Sequence, residues 1–346
     1  MPIKSIIDRG IVECLPTSIR SDKILTAVDL QRNMLNSIVE QIDHSFFTND
    51  NLVFNTTHLN VVIGPNRPLD EFANYICSNN KIDSTNICLT GGAALNVLLN
   101  EILIMKVGLK DNLFIPPNPD DGGLSLGQLF LLNQEKNQQD ITFNGLPILD
   151  EEKFDFFLKK NKNKKVNYKE LAEYIISGKI VGIIENDSEV GPRALGNRSI
   201  VCDPRFLSMK DTLNSKVKFR EWFRPFAGSI LKEHANEWFD MAGMDESPYM
   251  MYAVNVQADK TNKIPNITHV DDTCRIQTVT PEQNKHYYEL ISEFNKITGV
   301  PILFNTSFNL GGDALVETIN DAIDALVRSD MKYLYLPEIG KLVTKK

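Results

Sequence analysis

The chain has 346 residues, a length that favours two domains, because domains usually contain about 100 to 200 residues. Apolar residues make up 42% of the chain and charged residues 24%, values that fit a folded globular protein and indicate neither disorder nor a fibrous repeat. The net charge of −8 argues against binding nucleic acid through the overall field, although local basic pockets are compatible with it.

The cysteines and the N-terminus indicate the compartment. The five cysteines form no C-x-x-C pair, which is typical of reduced cytoplasmic thiols and unlike a zinc site. Residues 1–8 lack the apolar core of a signal peptide, and no window approaches the roughly 18 apolar residues that span a membrane. We therefore expect a cytoplasmic protein with neither nucleic acid nor a membrane as partner.

The first half alternates helical and strand patterns. Apolar residues spaced by three and four predict helices, and short apolar runs that end at glycine or proline predict strands. Alternation of this kind is typical of a mainly parallel, covered sheet. The predicted elements are a helix over 28–42, a strand over 59–63, a helix from Leu69, a strand over 86–90, a helix over 93–103, a strand over 113–117 and a helix after Gly123.

Residues 133–165 are polar and rich in lysine, and we interpret them as a domain junction; the alternative is a solvated loop or helix end within one domain. The second half then resumes a regular pattern. Its predicted elements are a helix over 168–177, a strand over 180–184, a helix from Thr280 to Gly299, a strand over 300–304, a helix over 318–328 and strands over 333–336 and 341–344.

A dense cationic segment follows the strand over 180–184. Arginine binds phosphate or carboxylate through two parallel hydrogen bonds, and glycines such as Gly191 and Gly196 let backbone N–H groups approach the same oxygens. The segment therefore predicts an anion site; the alternative is a basic helical face paired with acids elsewhere. Its cations are Arg193, Arg198, Arg205, Lys210, Lys216, Lys218, Arg220 and Arg224.

Three further segments are candidates, each with an ordinary alternative. Asn305–Gly312 follows a buried strand, where open α/β sheets bind ligands, although its residue types also form plain turns. The Gly91-Gly92 turn precedes a predicted helix whose N-terminus suits a phosphate. Asp121, with Asp120, is either a metal ligand or a helix cap. The five histidines form no H-x-x-x-H pair, and each is expected to be structural.

Taken together, the motifs resemble the NodU/CmcH family of ATP-dependent O-carbamoyltransferases over roughly residues 29–336. Both halves contribute, with Leu89–Asn96 and Pro116–Gly123 in the first. The matching segments of the second half are Gly191–Ile200, Asp203-Pro204-Arg205, Met209-Lys210-Asp211, Arg224–Ala227, His269-Val270-Asp271 with Arg275 and Gln277, Thr298–Pro301 and Asn305–Asn309.

The resemblance implies an α/β protein in which part of an ASKHA-type lobe, residues 1–150, precedes a YrdC-like α/β domain, residues 151–346. In such enzymes the YrdC-like domain makes carbamoyl-adenylate from carbamoyl phosphate and ATP. The ASKHA-type domain then transfers the carbamoyl group to a substrate hydroxyl. The resemblance thus implies a carbamoyltransferase that uses ATP with Mg²⁺.

The resemblance also implies the site residues. Lys218-Phe219-Arg220 is similar to the family's Lys-x-Arg motif, and Ser307-Phe308-Asn309 to its Ser-x-Asn motif. Asp121 matches an aspartate that helps bind a divalent metal, commonly iron. The implied catalytic residues are Arg193, Lys218, Arg275 and Ser307, and the implied ATP-binding residues are Arg193, Asn197, Arg198, Lys210, Lys218, Arg220, Arg224, Arg275, Asn305, Ser307 and Asn309.

The sequence departs from the family at several points. The family's N-terminal H-x-x-x-H metal motif is absent, so we expect a second polypeptide to supply the missing lobe. Asp187 stands where the family has arginine, and Leu310–Asp313 replaces a loop that often carries a basic residue. Two alternatives stay open: a threonylcarbamoyl-adenylate synthase, which shares the YrdC-like fold, and a non-catalytic partner subunit that keeps the fold.

Overall fold

The structure is a computed structural model that describes residues 51–55, 86–107, 113–133, 141–147 and 151–345. From Leu52 onward these residues belong to one compact unit. The predicted helix over 28–42, the strand over 59–63 and the helix from Leu69 lie outside the described residues. The division of the chain near residue 150 stays a prediction.

The described strands form a three-stranded sheet, β1 to β3, and a ten-stranded sheet, β4 to β13. Their bounds are β1 Asn51–Asn55, β2 Asn86–Thr90, β3 Leu113–Phe114, β4 Lys162–Lys165, β5 Val181–Ile184, β6 Arg198–Cys202, β7 Ala227–Leu231, β8 Phe239–Asp240, β9 Ala253–Val256, β10 Thr273–Val279, β11 Ile302–Ser307, β12 Tyr333–Leu336 and β13 Lys341–Thr344.

Eight α-helices accompany these strands in the described residues. Their bounds are α1 Val97–Val107, α2 Leu124–Asn133, α3 Glu151–Lys160, α4 Tyr168–Ile176, α5 Met209–Lys216, α6 Ala235–Trp238, α7 Lys285–Thr298 and α8 Ile319–Arg328. Short 3₁₀ helices cover Gly92–Leu95, Asp121–Gly123, Lys232–His234, Thr261–Lys263 and Pro337–Ile339.

The larger sheet is mixed, with strand order β4-β13-β12-β5-β6-β11-β7-β10-β9-β8. Among its neighbouring strands, β7 pairs with β10 and β5 with β12 in parallel, whereas the other pairs are antiparallel. The sheet of the second half is therefore mainly antiparallel, whereas the expectation of parallel strands was drawn from the first half. The reason is that β5 returns directly into β6 through a loop, and β11 inserts antiparallel to both β6 and β7. In the smaller sheet β2 and β3 are parallel.

Helices α4 and α7 pack against each other and against strands of the larger sheet. Leu171 and Ile175 of α4, with Leu290, Ile291 and Phe294 of α7, are fully buried. This packing removes apolar surface from water and forms the main core of the second half. The fold is thus α/β, as the sequence predicts.

Capping residues set the helix ends. Asn167 and Glu170 form a reciprocal capping box at the start of α4. The Asn284 side chain accepts a hydrogen bond from Tyr287 N–H, so α7 begins at Lys285 rather than at the predicted Thr280. Gly299 ends α7 in a left-handed conformation, φ 70°, which glycine adopts without strain.

Two predicted elements of the first half differ in detail. The predicted helix over 93–103 is a 3₁₀ turn followed by α1, and the side chain of Asn96 accepts from the N–H groups of Leu98 and Leu99 at the break, 3.2 Å each. The predicted strand over 113–117 is reduced to β3. Pro116 and Pro117 end it, because proline has no N–H for the strand ladder.

The lysine-rich segment before α4 is regular structure where it is described. Residues 151–160 form α3, and residues 162–165 form β4, an exposed strand at the edge of the larger sheet that pairs with β13. Lysines on an edge strand discourage pairing with a further chain. Within the predicted junction, residues 162–165 are thus an edge strand of the larger sheet and residues 151–160 are a helix, and the junction itself stays a prediction.

Candidate functional site

Glu189 organises the loop between β5 and β6. Its buried Oε1 accepts hydrogen bonds from the backbone N–H groups of Leu195 at 2.6 Å, Asn197 at 2.9 Å and Arg198 at 3.1 Å. Three donors on one carboxylate oxygen fix the backbone that follows Arg193. Sequence reasoning missed this residue, because a carboxylate that binds its own loop resembles any other acidic residue in the sequence.

Arg198 is fully buried and serves the loop itself. Its guanidinium donates to the backbone carbonyls of Glu185, Asn186, Asn197, Leu146 and Glu317. All five N–H donors are thereby used. In this structure Arg198 ties the loop to two distant segments and has no donor left for a nucleotide.

Asn197, another predicted nucleotide ligand, is also committed to the protein. Its Nδ2 donates to the carbonyl of Asp187 at 2.8 Å, and its Oδ1 accepts from Nδ2 of Asn284 at 2.7 Å. Since Asn284 caps α7, Asn197 connects the loop to that helix. Its position supports a structural role.

Arg193 lies where the loop meets the first half of the chain. One guanidinium nitrogen donates to the carbonyl of Leu95 at 3.1 Å, while the buried Nε has no hydrogen-bond partner among the described residues. Burial lowers the pKa of Arg193. The backbone approaches closely here: a Cβ on Gly191, φ 131°, would lie 2.3 Å from the carbonyl oxygen of Pro117. The glycine is therefore required for this contact.

Lys218 is buried against the segment that follows β11. Its Nζ contacts the carbonyl and the Oγ of Ser307, the latter at 3.1 Å, and the carbonyl and Oδ1 of Asn309 at 3.0 and 2.6 Å. All four acceptors are uncharged, so the positive charge is held in place but not neutralised. Burial, and then the charge of Arg220, lower the pKa of Lys218 to about 7.

The predicted Lys-x-Arg and Ser-x-Asn segments thus contact each other directly. Ser307 Oγ also donates to Asn309 Oδ1 at 2.7 Å, and Asn309 Nδ2 donates to the carbonyl of Asp313 at 2.7 Å. A Cβ on Gly311 would lie 2.1 Å from the carbonyl oxygen of Lys218, so only glycine allows the two segments to approach this closely.

Arg275 and Arg220 are half-buried and add to the positive charge around Lys218. Arg275 lies on β10, and its buried Nε has no hydrogen-bond partner among the described residues. Burial, followed by the charge of Arg193, lowers the pKa of Arg275 to about 9. The Arg220 guanidinium stacks 4.5 Å above the ring of Phe226. Burial, and then Arg224, lower its pKa to about 10. These shifts reflect cations crowded together out of water.

Asn305 belongs to a polar network beneath the loop. Its Nδ2 donates to the carbonyl of Ala194 at 3.1 Å and to Oγ of Ser229 at 2.9 Å. Gln277 Nε2 donates to the carbonyl of Leu195 at 2.8 Å, and its Oε1 accepts from Ser229 Oγ at 2.7 Å. The network holds the residues that follow Arg193 against the sheet. Asn305 is therefore placed to position Arg193.

Two predicted ligands, Lys210 and Arg224, are less buried than Lys218. Lys210 is half-buried, and its charge is among those that lower the pKa of His269, after burial as the main cause. His269 contacts the carbonyl of Phe226 and the Oγ1 of Thr273, 3.0 Å each. Arg224 is exposed and pairs with Glu221 at 3.1 Å.

Two arginines of the cationic segment have carboxylate partners. Arg205 pairs with Asp203 at 2.6 Å, and Arg224 with Glu221. The four cations Arg193, Lys218, Arg220 and Arg275, which we call the inner cations, form no ion pair with any carboxylate of the described residues. Lys218 is buried and the three arginines are half-buried. Charge held partly out of water without a partner is costly, so the arrangement suits an anion that arrives from outside.

Asp121 lies apart, at the start of the 3₁₀ helix Asp121–Gly123. The helix cap is Asp120, whose Oδ1 accepts from Gly122 N–H at 3.1 Å, whereas Asp121 is exposed. Asp121 lines a cavity of about 510 Å³ together with Gly91 and Asn118. The described residues contain no group of three His, Cys, Asp or Glu side chains that could hold a metal ion. They do not fit an iron site by themselves, and metal binding at Asp121 stays a prediction.

At the Gly91-Gly92 turn one backbone donor is already used. The Gly91 N–H donates to the carbonyl of Pro119 at 2.5 Å, and the helix that follows is a single 3₁₀ turn. The predicted phosphate site at this turn gains no support. Among the described helices, none is both long and apolar enough to cross a membrane.

Comparison with known proteins places the site in context. The family description "Carbamoyltransferase C-terminus" matches residues 172–345, which contain all four inner cations, and "Carbamoyltransferase N-terminus" matches residues 68–129, which contain Asp121. The chain is 35% identical to nodulation protein NolO of Bradyrhizobium diazoefficiens over 279 residues, 76% of this chain and 50% of that protein.

Two further relatives match a similar share of this chain. The chain is 36% identical to nodulation protein NolNO of Sinorhizobium fredii, over 75% of this chain and 40% of that protein. It is 33% identical to nodulation protein U of the same species, over 70% of this chain and 43% of that protein. The chain thus spans about half the length, or less, of these curated relatives. A structure of full-length HypF in its phosphate- and nucleotide-bound form covers 51% of this chain and 24% of that protein at 14% identity, and its TM-score of 0.34 carries no argument.

Proposed function

This chain belongs to the carbamoyltransferase family, and from that premise we propose that it makes carbamoyl-adenylate from carbamoyl phosphate and ATP and takes part in passing the carbamoyl group to a hydroxyl. The observation that supports this activity is the set of inner cations without carboxylate partners. Both proposed substrates are phosphate anions, and fixed cations in a dry site stabilise such groups strongly.

The proposed reaction has three steps. Water takes the phosphoryl group of carbamoyl phosphate, which leaves carbamate and orthophosphate. A carbamate oxygen attacks the α-phosphorus of ATP and expels pyrophosphate, giving carbamoyl-adenylate. An acceptor hydroxyl then attacks the carbamoyl carbon, and AMP leaves. In the adenylation step negative charge gathers on the leaving pyrophosphate, where preorganised cations have most effect.

The geometry suggests a division of roles among the inner cations. Arg193 and Arg275 have free guanidinium donors, so we assign them to direct contact with phosphate oxygens. Lys218 has its hydrogens directed at Ser307 and Asn309, so it contributes charge and fixes those two side chains. Arg220 adds a further cation beside Lys218.

The proposed architecture follows the family assignment. We assign the mixed sheet of the second half to a YrdC-like domain, and the region with Gly91 and Asp121 to an ASKHA-type lobe. Mg²⁺ on the ATP phosphates, a divalent metal at Asp121, the identity of the hydroxyl acceptor and a second polypeptide that completes the lobe are all parts of this proposal.

One incubation tests the proposed activity. The purified protein receives ATP and Mg²⁺ with carbamoyl phosphate in one sample, and with threonine and bicarbonate in another. We expect carbamoyl-adenylate, found by mass spectrometry, with one orthophosphate and one pyrophosphate released for each adenylate in the first sample. Adenylate in the second sample alone identifies a threonylcarbamoyl-adenylate synthase. ATP binding without pyrophosphate release in either sample identifies a non-catalytic subunit.

A further inference from the structure

A short loop over 219–225 follows Lys218 and carries three large exposed aromatic side chains. Phe219 is 57% exposed, Trp222 75% and Phe223 58%. The rings of Trp222 and Phe223 meet edge to face with their centroids 5.9 Å apart. We call residues 219–225 the aromatic loop. A contiguous apolar surface of this kind in a folded protein usually marks a binding site.

Asn214 holds the aromatic loop in place from beneath. The buried Nδ2 of Asn214 donates to the carbonyls of Trp222 at 3.1 Å and Arg224 at 3.3 Å. Its Oδ1 accepts from Nε of Arg220 at 2.8 Å. Arg220 also donates to the carbonyl of Pro225 at 3.3 Å, which closes the loop. The aromatic rings therefore extend from a backbone that the core already fixes.

The loop begins with backbone strain. Phe219 has φ 46°, in the left-handed region that bulky side chains rarely occupy. Such a conformation costs of order 1–3 kcal/mol and is concentrated at ligand-binding sites. Phe219 is bonded directly to Lys218, so the strain lies at the junction between an inner cation and the aromatic loop.

We propose that the aromatic loop binds the adenine base of ATP, with the base stacked on Trp222 while the neighbouring inner cations bind the phosphates. The inference deepens the proposed function and rests on it. Arg220 belongs both to the loop and to the inner cations, so a ligand that joins phosphates to a flat aromatic ring matches the two surfaces at once. Stacking of a base on an aromatic side chain contributes about 1–3 kcal/mol.

The fluorescence of Trp222 provides the signal for a test. It contains two tryptophans, and the second, Trp238, is only 2% exposed. ATP is titrated into the whole protein while tryptophan fluorescence is recorded, and tripolyphosphate serves as a ligand with the charge but without the base. Calorimetric titration measures both affinities in every variant, including those that lack Trp222. The variants are Trp222→Ala, Trp222→Phe and, as a matched control, Leu207→Ala, because Leu207 is 77% exposed and lies outside the loop.

We expect ATP to quench the wild-type fluorescence and tripolyphosphate to compete with ATP without quenching. Trp222→Ala should weaken ATP binding about 10-fold, within the range for stacking, and leave tripolyphosphate binding unchanged. Trp222→Phe should keep most of the ATP affinity but lose the quenching. Leu207→Ala should behave as wild type.

Several outcomes separate this inference from the proposed reaction. Wild-type ATP affinity in Trp222→Ala, or equal wild-type affinities for ATP and tripolyphosphate, overturns the adenine site and leaves the phosphate site standing. Quenching by ATP without carbamoyl-adenylate formation supports the adenine site and overturns the reaction. Absence of binding by either ligand overturns both.

Discussion

The Nζ of Lys218 lies 2.6 Å from the Oδ1 of Asn309, a residue 91 positions further along the chain. This contact brings together two segments that flank the inner cations, and the nearby Gly311 allows their backbones to meet. Lys218 is thus a buried charge surrounded by neutral acceptors. Changes to this charge or to the residues around it should therefore alter both anion binding and stability.

Replacing Lys218 by Met should reduce the affinity for ATP and for tripolyphosphate by about 10-fold, equivalent to about 1.4 kcal/mol, because the variant removes a fixed positive charge beside the proposed phosphate site. Methionine fills a similar volume, but the carbonyls of Ser307 and Asn309 lose a donor, so we expect a lower melting temperature in a protein that still folds. Calorimetric titration measures both affinities. Lys216→Met is the matched control, because Lys216 is an exposed lysine two residues away; equal losses in the two variants would contradict a local role for Lys218.

The pKa of Lys218, lowered to about 7, predicts that anion binding takes up a proton. Above this pH the free protein has a neutral Lys218, and a bound polyphosphate favours its charged form. We therefore expect ATP affinity to fall as the pH rises from about 6 to 8.5. Lys218→Arg should flatten this dependence, because arginine stays charged. Calorimetry in two buffers with different ionisation enthalpies counts the protons; zero uptake at pH 8 would contradict the assignment.

The same shift has a consequence for stability. The folded pKa lies below the ordinary value near 10.5, so the unfolded chain binds more protons between the two values. The contribution of Lys218 to the free energy of unfolding is therefore fully present above about pH 10.5 and is lost as the pH falls through about 7. Lys218→Met should remove this component from the pH dependence measured by urea denaturation.

Two buried arginines should respond to the same substitution in opposite directions. Arg275→Met removes a cation without a carboxylate partner, so we expect a higher melting temperature together with weaker ATP binding. Arg198→Met leaves buried carbonyls unpaired, each costing about 1–3 kcal/mol, so we expect a clear loss of stability. Differential scanning calorimetry compares the two; a drop in melting temperature for Arg275→Met would show that its charge is compensated.

The hydrogen bonds of Glu189 predict that glutamine can replace it with little loss of stability, whereas alanine cannot. Glu189→Ala leaves three buried N–H groups without an acceptor, so the melting temperature and the ATP affinity should both fall, because the same loop carries Arg193. Glu189→Gln keeps an oxygen acceptor and should restore most of the stability. Thermal melts and ATP titrations distinguish the variants; equal damage in both would indicate that the negative charge itself is required.

Local signals predicted much of the second half. The strand patterns over 180–184, 333–336 and 341–344 and the helix over 318–328 all correspond to elements of the structure. Capping explains the agreement at α8, where Thr318 and Asp321 form a capping box. The order of the strands in the sheet could not be predicted from local patterns, because the insertion of β11 between β6 and β7 depends on contacts between residues far apart in the chain.

The cationic segment likewise shows what could not be predicted about the site from sequence alone. Its density predicted an anion site, which stays a prediction, and the sequence did not distinguish the roles of the individual cations. Arg205 pairs with Asp203, and Arg198 is used by backbone carbonyls as distant as those of Leu146 and Glu317. Arg275, far outside the segment, joins Arg193 instead. Which cations keep a free donor is decided by tertiary partners that no local pattern reveals.

The contacts of Arg193 and Gly191 with Leu95 and Pro117 have a mechanical consequence. Leu95 and Pro117 belong to the region matched by the N-terminal family description, and Arg193 and Gly191 to the region matched by the C-terminal one. A shift of the residues around Leu95 and Pro117 would therefore displace the Arg193 guanidinium and the backbone at Gly191. In the proposed function Arg193 contacts phosphate, so the position of the region that contains Asp121 would set the direction of that contact.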